Sequence, residues 1–65
     1  MDNTVRDTRF FAGLRHGDRV VTSDGYIGTV KALWAGTAGN EWVTVLLDCA
    51  TQWEVFAISQ VQLAT

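Results

Sequence analysis

GDRVVTSDGYIGTV, residues 17–30, sets two short runs of β-branched and aromatic residues on either side of Ser23-Asp24-Gly25. In this trio glycine supplies a positive φ without steric cost and aspartate tolerates the bend. The stretch therefore predicts a strand over Arg19 to Thr22, a tight turn, and a longer strand over Tyr26 to Ala35. Gly28 lies inside that second strand, where a missing side chain marks either a bulge or a close backbone approach.

The same alternation of strand and turn residues continues to the C-terminus. Gly36-Thr37-Ala38-Gly39-Asn40 is a hairpin loop, Glu41 to Leu47 (EWVTVLL) a third strand and Asp48 to Thr51 a turn. Gln52 to Ile58 (QWEVFAI) is the fourth strand, Ser59-Gln60 a tight turn, and Val61 to Leu63 a short closing strand. Toward the N-terminus, Phe10, Phe11 and Leu14 are the first apolar anchors, and Gly13 stops any helix they start. Residues 1–9 alternate polar and charged types and are expected to form a loose arm. These elements predict an all-β fold, a small five-stranded barrel occupying residues 10–65 as a single domain.

A chain of 65 residues buries only about 60% of its unfolded surface. Domains of this size commonly add a disulfide, a metal or a partner subunit to their core. Cys49 has no second cysteine to pair with inside the chain. His16 and Cys49 are the only soft ligands and neither has a companion at ligand spacing, so no metal is expected. Oligomerisation remains, and a composition of 48% apolar residues with three tryptophans favours it. A net charge of −2 and scattered Arg6, Arg9, Arg19 and Lys31 argue against a nucleic-acid partner, which calls for clustered cations. MDNTVRDTRFFAGL contains no long apolar run, which predicts neither a membrane span nor a secretory signal, and hence a cytoplasmic protein.

Strand side chains alternate between faces, so a strand with one wet face should be apolar on every second residue. The third strand is apolar on both: Val43, Val45 and Leu47 form one side, and Trp42 and Leu46 flank Thr44 on the other. The fourth repeats the pattern, with Phe56 and Ile58 fitting a core and Trp53, Val55 and Ala57 facing outward. The expected core is Val20, Val30, Val43, Val45, Phe56, Ile58 and Val61. A small barrel has one interior, so Trp42, Leu46, Trp53 and Val55 are left as an apolar patch, predicted to be the interface of a homo-oligomer, a dimer or tetramer.

The Gly17-Asp18-Arg19-Val20 lead, the aromatic-x-Gly-x-Val pattern of Tyr26, Gly28 and Val30, and the terminal FAISQVQL resemble the SH3-like barrel superfamily. Gly17 to Leu33 resembles the KOW motif of ribosomal and transcription proteins, although KOW domains that bind RNA are usually basic and this chain is not. Phe11 to Ala64 is more similar to the type II dihydrofolate reductases of plasmids and integrons, tiny SH3-like barrels that work as tetramers around one pore. That resemblance implies an origin on a mobile element and, if the activity were kept, NADPH as cofactor.

The family's chemistry rests on a Val-Gln-Ile-Tyr segment and a lysine after the Gly-Asp lead. Trp53, Glu54, Val55 and Phe56 occupy the segment here, and Thr22 occupies the lysine position. Glu54 replaces an amide donor by a negative charge where anionic ligands must enter, Phe56 lacks the hydroxyl, and Thr22 lacks the cation. Only Val55 keeps the character of its counterpart. The residues thus imply a barrel without catalytic groups and without a cofactor. Glu54 remains a candidate ligand residue, as one copy of a carboxylate ring in an oligomer. His16 reads as a solvated loop histidine, Cys49 as an incidental turn residue, and Asp18, Asp24 and Asp48 as turn aspartates.

Overall fold

The computed structural model describes residues 9–36 and 40–64. Within them the chain is all-β. β1 (Arg19–Thr22), β2 (Ile27–Ala35), β3 (Glu41–Leu47), β4 (Trp53–Ala57) and β5 (Val61–Leu63) form one antiparallel sheet in the order β4-β3-β2-β1-β5. Two single 3-10 turns, Phe11–Gly13 and Ile58–Gln60, complete the described elements. The second packs on β3, β4 and β5 and so bridges the two ends of the strand order. The expected loose arm and the tip of the 36–40 loop lie outside the described residues.

The turn after β1 forms as its chemistry requires. Gly25 has φ +90, its N–H donates to Thr22 O at 2.9 Å, and Thr22 N–H donates to Tyr26 O at 2.8 Å. Tyr26 N–H also donates to the Thr22 hydroxyl, so Tyr26 belongs to the turn and β2 starts one residue later than expected. β4 is likewise one residue shorter at each end than the sequence predicts, because Ile58 enters the 3-10 turn.

Gly28 is a close approach rather than a bulge. A Cβ there would lie 2.6 Å from Leu46 O, 2.7 Å from Val45 Cγ1 and 2.9 Å from Leu47 Cα. The bulge sits further along β2, where Val30 opposes Val45 and Ala32 opposes Thr44, leaving Lys31 as the extra residue. Such an insertion bends a strand and increases its twist. The sheet can thereby curve around a core only a few valines wide.

That core comprises Leu14, Val20, Val30, Val43, Val45, Leu47 and Val61, with the four valines 20, 30, 43 and 45 fully buried. Two residues expected in it are only half-buried. Phe56 lies on β4, which has a strand on one side only, and Ile58 lies in the 3-10 turn at the sheet margin, and both pack against the core from its rim. Leu14, supplied from outside the strands, is buried within the core.

An ion pair ties the start of β1 to the end of β3. The Arg19 guanidinium donates to both carboxylate oxygens of Asp48, one at 2.8 Å, and to the Thr29 hydroxyl at 2.9 Å. This hydrogen bonding, with the attraction of the opposite charge, holds the Asp48 carboxyl below its ordinary range. A depressed carboxylate contributes stability above its unfolded pKa and loses it as pH falls through the folded one. Asp48→Asn should therefore be slightly less stable than the wild type at neutral pH, and the difference should shrink as pH falls below about 4, where the wild type loses the same contribution. Thermal melts of both proteins across that range check it, and curves of the same shape would dismiss the pair as a contributor.

Candidate functional site: a tryptophan-bearing sheet face

Pairing register determines which side chains share the outer face of β2, β3 and β4. Trp34, Trp42 and Ala57 form one row across the three strands, Ala32, Thr44 and Val55 a second, and Thr29, Leu46 and Trp53 a third. All three tryptophans of the chain stand on this face. Trp34 is 56% exposed, Trp42 45%, Trp53 59% and Val55 62%, while Leu46 is half-buried.

The face has relief as well as area. The middle row is small-sided, and the large rows stand on either side of it. Thr44 is buried at its centre because the Trp34 indole lies over it, donating its N–H to the Thr44 hydroxyl at 2.7 Å. That bond holds the exposed ring in one orientation, which lowers the entropy lost when the face meets a partner.

Of the residues singled out in the sequence, Trp42, Leu46, Trp53 and Val55 are brought together here. Trp34 is an addition. Its signal was present, since a hairpin closed between Gly36 and Asn40 sets Trp34 opposite Trp42. Glu54 and Phe56 are not part of the face. They oppose Val45 and Val43 on the inner side of the sheet, where Phe56 is half-buried and Glu54, near the start of the edge strand, is exposed. The four consecutive residues Trp53 to Phe56 are thus split between the two faces of β4 within one chain.

Thr22 is 5% exposed and is committed to the turn as an acceptor for Tyr26 N–H. It also borders a shallow cavity of about 180 Å³ with Ser23, Ser59 and Gln62, and no charged side chain lines that cavity. His16 and Cys49 are exposed. Asp18 accepts Arg15 N–H at 2.8 Å, the capping role its position suggests. Among the described residues no three His, Cys, Asp or Glu side chains cluster to hold a metal ion, and no helix is long and apolar enough to cross a membrane.

Comparison with protein-family models, with curated proteins and with solved structures yields no match. The functional reading therefore rests on the face itself.

Proposed function

We propose that this chain is a non-enzymatic interaction or scaffold module that works by associating with copies of itself through the tryptophan face. The observation that carries the reading is the gathering of Trp34, Trp42, Trp53 and Val55, all exposed, on one side of three adjacent strands. With about 250 Å² for a whole indole-bearing side chain, the three tryptophans alone present about 400 Å² of exposed surface. A patch of that size on a small domain ordinarily marks a contact site. It is about half of what one partner contributes to a standard interface, a suitable centre for a larger footprint.

The occupant that fits is a second copy. The nine positions of the three rows include no charged residue, so two such faces meet without opposing like charges in a chain of net charge −2. Self-association also supplies what a core of seven small and medium side chains lacks. The strand order and the 3-10 turn ahead of β5 support an SH3-like reading of the fold. Within that superfamily the reductase alternative is the less favoured, given Thr22 committed to its turn and Glu54 and Phe56 turned away from Trp53 and Val55.

Sedimentation equilibrium from micromolar to hundreds of micromolar protein tests the proposal. The expected result is a dimer or tetramer, and a monomer throughout would overturn it. Background NADPH oxidation in the presence of dihydrofolate is expected in parallel, and turnover abolished by Glu54→Ala would promote the enzymatic reading instead.

A further inference from the structure

The edge of the sheet carries a second consequence, which rests on the self-association reading. β4 pairs with β3 and with no other strand among the described residues. Antiparallel pairs alternate between those that exchange hydrogen bonds and those whose backbone groups point away from each other. Gly36 N–H donates to Asn40 O at 3.1 Å, which makes Gly36/Asn40 an exchanging pair. Two residues further along each strand, Trp34/Trp42 is an exchanging pair too, so the backbone groups of Trp42 point to β2. Ala57, opposite Trp42 on β4, must then point its N–H and C=O outward. It does: Ala57 N–H donates to the Gln60 side-chain oxygen at 3.1 Å.

By the same alternation, the N–H and C=O of Val55 and Trp53 also face outward. Among the described residues no backbone hydrogen bond from outside the sheet reaches them. Trp53, Glu54 and Val55 are exposed in succession, as an uncovered edge requires. Such an edge is a template for another strand unless something blocks it. Gln60 blocks only its C-terminal end.

We propose that the outer edge of β4 joins two copies of this chain antiparallel about a two-fold axis at Val55, extending each sheet into its partner. In that register Val55 exchanges two hydrogen bonds with its own counterpart, and each Trp53 N–H meets the opposite Ala57 carbonyl. Glu54 selects the register. An axis through Glu54 would set two like charges side by side on the inner face, whereas the Val55 axis sets Glu54 beside the partner's Phe56 position. The arrangement also merges the two tryptophan faces into one, so the edge contact and the face contact together generate a tetramer with two kinds of two-fold axis.

Two measurements test it. In the wild-type assembly the Val55 amide should exchange with solvent as slowly as amides inside the ladder, and exchange at the rate of an unpaired amide overturns the edge contact. Val55→Pro removes that N–H while keeping an apolar side chain, and proline is tolerated on an edge whose N–H faces outward. Val55→Pro should sediment at half the wild-type mass, as a dimer held by the face. Trp34→Asp, two strands from the edge, should also give half the mass, as a dimer held by the edge. An unchanged mass for Val55→Pro overturns the edge contact. An unchanged mass for Trp34→Asp, with monomeric Val55→Pro, supports the edge and overturns the face. Should Val55→Pro fail to fold, amide exchange of the wild type decides.

Discussion

Trp53→Asp is expected to weaken self-association by about a hundredfold to ten-thousandfold and to lower the melting temperature in the same experiment. Trp53 is 59% exposed within the single chain, so the substitution costs the monomer little packing. In the assembly it costs much more. Fully burying an apolar side chain of this kind contributes about 1.5–3 kcal/mol, and a two-fold contact contains the residue twice. Losing both contributions removes about 3–6 kcal/mol, and each 1.4 kcal/mol is a factor of ten in affinity. The buried carboxylates add a desolvation penalty on top. Because folding and association are linked by mass action, the wild-type melting temperature should rise with protein concentration, and that rise should vanish in Trp53→Asp. A variant that sediments and melts as the wild type does would place the interface elsewhere on the surface.

Gly28→Ala should be strongly destabilising. Its Cβ would come within 3.0 Å of Leu46 O, Val45 Cγ1 and Leu47 Cα. Two of these atoms belong to the backbone of β3, so no rotamer change relieves the clash, and β2 and β3 must separate where they pair. Overpacking typically costs 1–3 kcal/mol, and a site walled by backbone falls at about 3 kcal/mol. A core this small supplies only about 3–5 kcal/mol, so the substitution consumes most of the stability. Gly25→Ala is the control. Nothing lies within 4 Å of a Cβ there, and its cost is confined to the positive φ, about 1 kcal/mol. Urea midpoints for both variants check the order, and an equal loss for the two would refute the steric account.

Much of the fold was legible because strand and turn chemistry are local. β1, β3 and β5 occupy the residues expected of them, since Thr22-Ser23-Asp24-Gly25 ends β1, Asn40 and Asp48 bound β3, and Ser59-Gln60 precedes β5. The surplus of apolar residues on β3 was equally plain, since period-two alternation assigns Trp42 and Leu46 to the face opposite Val43, Val45 and Leu47. Where local signals competed, the boundaries moved: Tyr26 was drawn into the turn by the Thr22 hydroxyl, and Ile58 into a 3-10 turn. The left-handed backbone of Phe11 and Ala12, at φ +53 and +50, had no signal at all, because neither residue prefers that conformation.

The sequence by itself determined that the protein is all-β and that its third and fourth strands carry apolar side chains on both faces. Those conclusions depend on residue type and on a two-residue period, which need no knowledge of neighbours. Only the tertiary structure decided that Trp34 completes the face, that Leu14 rather than Phe56 fills the core, and that Glu54 stands on the other side of β4 from Trp53 and Val55. Only it left β4 as an edge with Gln60 across one end. Each of these depends on pairing between residues distant in the chain. A single inserted residue at Lys31 shifts the register of β2 against β3, and no local pattern specifies where such an insertion falls.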